Sequence, residues 1–198
     1  MRDIIQMIVV LGLLGAASGG GLALVKSGTA EQIEYQQLKF VKGPAIKEIL
    51  EGCSNDPLVD RFKIQDGDEE KSFYIGVFDG KPTGVAYETY GKGFGGDIGI
   101  MVGVNLETDG LLGMGVTTPF SETPGLGARA KTEASFKNSF KGLSIKEPVK
   151  IKTEGGGVDA ISGATITSKG VCAAITQSAE MYERLKPQIE EKAAAFAK

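Results

Sequence analysis

The chain has 198 residues, of which 41% are hydrophobic and 24% charged, and its formal net charge is −3. A globular domain of about 100 to 150 residues with one added segment fits this length, and the weak negative charge predicts no nucleic-acid partner. The sequence has no histidine and 2 cysteines, Cys53 and Cys172. Ser-His and Cys-His catalytic pairs, histidine-ligated metals and cysteine-rich metal sites are therefore excluded. No catalytic residue and no metal site are expected, so any redox chemistry requires a bound cofactor.

The first 28 residues have the composition of a membrane anchor. Residues 4–25 are apolar except for Gln6 and Ser18, and a helix needs about 20 such residues to cross the hydrocarbon core. A cleaved signal peptide is the alternative, but the apolar run resumes after the glycines at residues 22–25. We therefore predict a transmembrane helix within residues 1–28, followed by one soluble domain over residues 29–198.

Residues 29–50 have helical spacing that is interrupted at Pro44, which predicts two short helices or one broken helix. Residues 72–78 and 84–89 are rich in strand-forming side chains. They are joined through Asp79-Gly80, a strong hairpin signal.

The same pattern continues towards the C-terminus. Residues 98–106 and 111–117 predict two further antiparallel strands. We expect a helix over residues 128–140, a short strand over 149–153, and a final helix from residue 167 onward. That helix is predicted to kink at Pro187 and to end in a solvated tail. The predicted fold class is α+β, with an antiparallel sheet flanked by helices.

Three glycine-containing stretches are candidates for ligand contact. Residues 91–96 match the G-x-G-x-x-G pattern of dinucleotide-binding turns, but a strand follows them where that turn requires a helix, so we reject this interpretation. They are either a flexible loop near a ligand or an ordinary turn. Residues 121–127 precede a predicted helix, and Pro124 with its neighbouring glycines is explained equally by ligand contact and by a structural turn.

The third stretch, residues 159–169, leads into the last helix. Backbone N–H groups at a helix start attract anions, helped by the helix dipole and here by Lys169, which suits a phosphate. Alternatively Ser162, Thr165 or Thr167 caps the helix without any ligand. From these residues alone, the simple cap is the favoured interpretation.

Two of these stretches together resemble the FMN-binding domains of bacterial electron-transport complexes. The run Ser162-Gly163-Ala164-Thr165, preceded by Asp159, resembles their flavinylation motif, and residues 122–127 resemble their flavin-neighbouring loop. The resemblance implies that a flavin transferase joins the phosphate of FMN covalently to Thr165, and not to Thr167. The predicted cofactor-binding residues are then Thr165, Ser162, Gly163, Ala164, Lys169, Thr123, Pro124, Gly125, Leu126 and Gly127.

Within this family the chain is similar to G subunits of the Rnf ion-translocating complex. The resemblance implies a membrane-bound electron carrier, not an independent catalyst, in a complex that couples ferredoxin and NAD redox chemistry to Na⁺ or H⁺ translocation. It also implies other membrane and redox subunits and membrane lipid as partners, and a single-pass protein of the bacterial cytoplasmic membrane with its soluble domain on the extracytoplasmic side. The alternatives are a C subunit of a Na⁺-translocating NADH:quinone reductase, and a membrane-tethered binding or assembly module without flavin.

Overall fold

The computed structural model describes residues 2–117 and 122–197, and the chain divides into two units, Met1–Lys39 and Phe40–Lys198. Most of the first unit is helix α1, Arg2–Gln37, whose 36 residues extend over about 54 Å. None of its described residues is buried, and by length and composition it can cross a membrane. The helix continues beyond the predicted apolar segment, and residues 26–37 contain no proline that would end it. The functional boundary between residues 28 and 29 stays a prediction.

The second unit begins where the chain changes from α-helical to π-helical hydrogen bonding. A π-helical turn, Leu38–Lys42, precedes helix α2, Gly43–Ile49, and Pro44 lies in the first turn of α2. Proline is tolerated there because the first N–H groups of a helix have no partner within the helix. The helical geometry changes next to the predicted interruption, but residues 29–37 belong to α1 and form no separate short helix.

Five antiparallel strands follow one another in sequence order across the sheet. Their bounds are β1 Arg61–Asp66, β2 Glu69–Phe78, β3 Lys81–Lys92, β4 Asp97–Asn105 and β5 Leu111–Val116. Asp79 and Gly80 both have positive φ (51° and 79°), as a two-residue type I′ hairpin turn requires. The predicted hairpin of β2 and β3 and the two further antiparallel strands β4 and β5 are confirmed. The sequence prediction missed β1, although Phe62 and Ile64 alternate with polar residues there.

Helix α4, Thr165–Ala193, lies against β3 and supplies much of the core. Tyr182 stacks on Tyr87 with ring centroids 6.2 Å apart, and the Tyr182 hydroxyl donates to Asp109. Close to the start of α4, glycines let the backbones of helix and strand approach. A Cβ on Gly91 would lie 2.5 Å from the Gly170 carbonyl oxygen. This approach fixes the start of α4 against the end of β3.

Three predictions for the second half of the chain need correction. Residues 128–140 form a 3₁₀ turn, Gly127–Lys131, and the short helix α3, Ala134–Asn138, not one helix. Residues 149–153 form no strand: Ile151 makes a single parallel bridge to Val158 because no strand of the sheet lies alongside. The tail is only partly solvated: Ala194 and Ala195 are exposed as predicted, but Ala193 is buried and Phe196 stacks on Phe62. The α+β class with its antiparallel sheet is confirmed.

Candidate functional site

A cavity of about 340 Å³ brings the three glycine-containing stretches together. The loop between β3 and β4 and the loop before the 3₁₀ turn Gly127–Lys131 line it, and the start of α4 completes it. The lining residues are Phe94, Glu122, Thr123, Leu126, Gly127, Gly163, Ala164, Thr165, Ile166 and Thr167. Stretches that the sequence left as separate candidates therefore belong to one site.

Thr165 is the first residue of α4 and its side chain is exposed. Among the described residues no side chain caps this helix, so capping by Ser162, Thr165 or Thr167 is wrong. The first N–H groups of a helix lack partners within the helix, and the helix dipole adds partial positive charge there. Thr165 thus combines an accessible hydroxyl with a backbone that favours an anion.

The other two hydroxyls in the first turn are occupied. Thr167 is 1% exposed, and its hydroxyl donates to Glu122 Oε2 at 2.6 Å. Ser168 is buried, accepts from the Ile161 N–H and donates to the Ala164 carbonyl oxygen, both at 3.0 Å. Among these three hydroxyls, only that of Thr165 is accessible for a new bond.

Glu122 joins the three stretches. The sequence prediction included it in the run that resembles a flavin-neighbouring loop but not among the cofactor-binding residues. It is 6% exposed, and its Oε1 accepts from the Gly95 N–H at 2.8 Å while Oε2 accepts from Thr167. A Cβ on Gly93 or Gly127 would collide with this carboxylate. The signal in the sequence was an acidic residue beside a glycine-containing loop. Two of the glycines that indicated ligand contact therefore make room for Glu122.

The rim of the cavity is apolar and exposed. Phe94 is 68% exposed, Ile166 55% and Leu126 43%. Apolar side chains grouped around a cavity commonly mark a binding surface. A helix start that favours a phosphate, beside an apolar surface, fits FMN, in which a phosphate is joined to a flat isoalloxazine ring. The sequence prediction included Leu126 but missed Phe94 and Ile166.

The remaining predicted residues lie near the cavity without lining it. Gly125 has φ +78° within the turn that Thr123 and Leu126 close with a 3.1 Å hydrogen bond. Lys169 pairs with Glu154 at 2.7 Å. Their flavin contacts stay predictions. The same holds for the other predicted residues outside the lining, Ser162 and Pro124, while Ser121 lies outside the described residues.

A second cleft, of about 430 Å³, lies over β2 and β3 and is lined mainly by charged side chains. Lys42 pairs with Glu88 at 2.7 Å, and Lys71 pairs with Glu69. Burial, followed by the nearby Glu88 carboxylate, raises the pKa of Tyr90 to about 12. Because these charges neutralise one another, this cleft suits FMN less well than the apolar cavity.

The sheet, the phosphate-suited helix start and the apolar cavity define the class of flavin-binding electron-transfer domains. A comparison with protein families supports this class, since the FMN-binding domain matches residues 93–180. That range contains all the lining residues of the cavity.

Relatives identify the family. The G subunit of the ion-translocating oxidoreductase complex of Methanosarcina acetivorans is 32% identical over 88% of this chain and 92% of its own length. The G subunit of the Na⁺-translocating ferredoxin:NAD⁺ oxidoreductase complex of Acetobacterium woodii is 28% identical over 93% and 94%. The chain belongs to the family of G subunits of ion-translocating oxidoreductase complexes. Family and apolar helix together support membrane anchoring and other subunits as partners.

A solved structure shares the fold. The C subunit of the Na⁺-translocating NADH-quinone reductase from Parabacteroides distasonis is 26% identical and superposes with a TM-score of 0.54. The match covers 64% of this chain and 76% of that one. This chain and that C subunit therefore share a fold, which explains why the sequence left a C subunit as the alternative.

Proposed function

We propose that this chain is a membrane-anchored electron-transfer protein that carries FMN through a phosphoester on Thr165. The observation that carries the proposal is the exposed Thr165 at the start of α4, where no side chain of the described residues caps the helix and an apolar cavity lies alongside. When bound, FMN supplies the redox chemistry. A histidine-free site suffices, because electron transfer through a flavin needs no protein base or nucleophile.

Attachment forms one bond and breaks another. The Thr165 oxygen would form a P–O bond to the FMN phosphorus of a flavin dinucleotide donor, while the pyrophosphate P–O bond breaks and the nucleoside monophosphate leaves. The Thr165 proton would pass to a base of the transferase or to water. We assign this step to a flavin transferase. The N–H groups and dipole of α4 then stabilise the charge of the phosphoester, and Ser162, Gly163 and Ala164 form the turn that presents it.

We propose that apolar side chains at the cavity pack against the flavin ring. Leu126 and the exposed side chains of Phe94 and Ile166 provide apolar surface on the sides of the cavity. Burial of such surface is favourable by about 25 cal/mol per Å². A covalent tether prevents loss of the cofactor, which matters most where FMN cannot be replaced from the cytoplasm.

At the scale of the complex, we propose that residues 1–28 anchor the chain in lipid and among other membrane subunits, with residues 29–198 on the extracytoplasmic side. The A. woodii relative is named for ferredoxin:NAD⁺ chemistry and Na⁺ translocation. We propose the same coupling here, to Na⁺ or H⁺. The relatives of this chain favour a G subunit over a C subunit, since G subunits from several organisms are at least 30% identical over about nine tenths of the chain.

Intact mass of the full chain, produced with a flavin transferase, tests this proposal. The expected mass exceeds that of the unmodified chain by one FMN less one water, and peptide mapping places the addition on Thr165. In-gel fluorescence should show flavin after denaturation. A chain with no added mass and no fluorescence would instead be a binding or assembly module.

A further inference from the structure

Glu122 is the one buried carboxylate among the lining residues of the cavity, and it contacts all three stretches. It bonds the Gly95 N–H and the Thr167 hydroxyl, and it fills the space above Gly127. Both carboxylate oxygens act as acceptors. Hydrogen bonds of this kind, with a charged acceptor, are shorter and stronger than those between neutral groups.

Helical geometry links Glu122 to Thr165. Successive residues of an α-helix are rotated by about 100°, so Thr165 and Thr167 point in directions about 200° apart. Both threonines line the cavity, but Glu122 holds the Thr167 hydroxyl in the protein interior at 2.6 Å, which leaves Thr165 exposed to solvent. The first turn of α4 has no side-chain cap among the described residues. The Ser168 bonds and the backbone approach of Gly170 to Lys92 hold the helix start in place, and the Thr167–Glu122 bond is the restraint that ties this turn to the loop of residues 122–127.

We propose that Glu122 is the positioning residue for attachment: through Thr167 it holds the first turn of α4 so that Thr165 accepts FMN. This inference rests on the proposed function. Glu122 takes no part in the transfer itself. Its effect is to keep the Thr165 oxygen in one orientation. Less conformational entropy is then lost on reaching the transition state, so the activation free energy of the transfer is lower.

The experiment measures the initial rate of covalent FMN incorporation into the full chain in detergent, with purified flavin transferase and an activated FMN donor. Thr167→Val removes the hydroxyl but keeps the branched shape, and Thr167→Ser keeps the hydroxyl. We expect Thr167→Val to lower kcat at least tenfold, with the KM for the chain changed less than twofold. Thr167→Ser should stay within threefold of wild type.

Thr176→Val is the matched control. Thr176 lies on the same helix and its hydroxyl accepts from the Val149 N–H at 2.9 Å, so the same substitution removes a tertiary hydrogen bond of α4 away from the cavity. This control should incorporate FMN at the wild-type rate. Equal slowing in Thr176→Val and Thr167→Val would overturn the proposal, because general destabilisation would then explain both.

Further outcomes also decide the matter. If Thr167→Val incorporates FMN at the wild-type rate, the positioning role of Glu122 is refuted and the proposed function is unaffected. If the wild-type chain carries no FMN on Thr165, the positioning role and the proposed function are both refuted. If circular dichroism shows Thr167→Val unfolded, Glu122→Asp replaces it. Its shorter side chain cannot reach Gly95 and Thr167 together, so a tenfold loss supports the proposal and a wild-type rate refutes it.

Discussion

Thr165 and Thr167 are chemically alike and two positions apart, yet the fold gives them opposite environments. One is exposed at the cavity and the other is buried against Glu122. The motif in the sequence predicted the first as the attachment site. It could not predict the second environment, because Glu122 is 45 residues away from Thr167 in the chain and becomes its partner only through the tertiary fold.

Thr165→Ala should abolish covalent FMN without unfolding the domain. The side chain is exposed and makes no capping bond among the described residues, so the free energy of unfolding should change by less than about 0.5 kcal/mol. Intact mass and thermal unfolding measure the two effects. Covalent flavin retained on this variant would place the attachment elsewhere, with Thr167 the first position to map.

Asp109 is a polar centre away from the cavity, and it responds to pH. Burial alone would raise the pKa of its carboxyl, but hydrogen bonds from Lys146, Lys186 and Tyr182 outweigh burial and hold the pKa at about 2. A lowered folded-state pKa stabilises the protein above the unfolded-state value of about 4. This contribution disappears as the pH falls from about 4 through about 2.

Asp109→Asn should therefore lower the free energy of unfolding by about 2 to 3 kcal/mol at pH 7. Asparagine tolerates the positive φ of 55°, so the loss reflects charge. Urea unfolding at pH 7 and at pH 3 should show a smaller pH dependence than in wild type. Asp66→Asn, which breaks the more exposed pair with Arg184, is the control and should cost less than about 1 kcal/mol. Equal losses in both variants would contradict the special role of Asp109.

At the scale of elements, local signals predicted what local residues determine. Asp79-Gly80 and the alternation around it define a hairpin within a few residues. The bounds of β4 and β5 were predicted within one residue, whereas β2 begins three residues before its predicted start and β3 extends three residues beyond its prediction at each end. Residues 149–153 have strand-forming side chains, but a strand also needs a neighbour. That neighbour depends on the whole topology, which short-range patterns do not contain.

The close contact between α4 and β3 gives a prediction at this scale. A Cβ on Gly170 would collide with the Lys92 backbone carbonyl oxygen, and a backbone atom cannot rotate away. Gly170→Ala should lower the free energy of unfolding by about 1 to 3 kcal/mol, although alanine favours helix over glycine.

Chemical denaturation of the detergent-solubilised chain measures this loss. Gly28→Ala is the control, because a Cβ there meets no described atom within 4 Å, and it should not destabilise the domain. Because the shift would also move the start of α4, FMN incorporation should fall in Gly170→Ala alone. An unchanged unfolding free energy would show that helix and strand separate without cost.

For the whole molecule, the division at Lys39 and Phe40 separates two kinds of surface. The core of the second unit is built from side chains within that unit, whereas α1 has no buried residue among those described. A chain shortened to residues 40–198 should therefore remain folded and soluble and still accept FMN. The full chain should stay in the membrane pellet after an alkaline carbonate wash. Release of the full chain by that wash would contradict a transmembrane helix.

The side of the membrane is the remaining question at this scale, because Arg2 and Lys26 place one positive charge at each end of the apolar segment. We expect alkaline phosphatase fused after Lys198 to be active, since it folds only in an oxidising compartment. A green fluorescent protein at the same position should be dark. The same phosphatase fused before Met1 is the control and should be inactive. The reverse pattern would put the FMN site in the cytoplasm, and the tether would then need a reason other than cofactor loss.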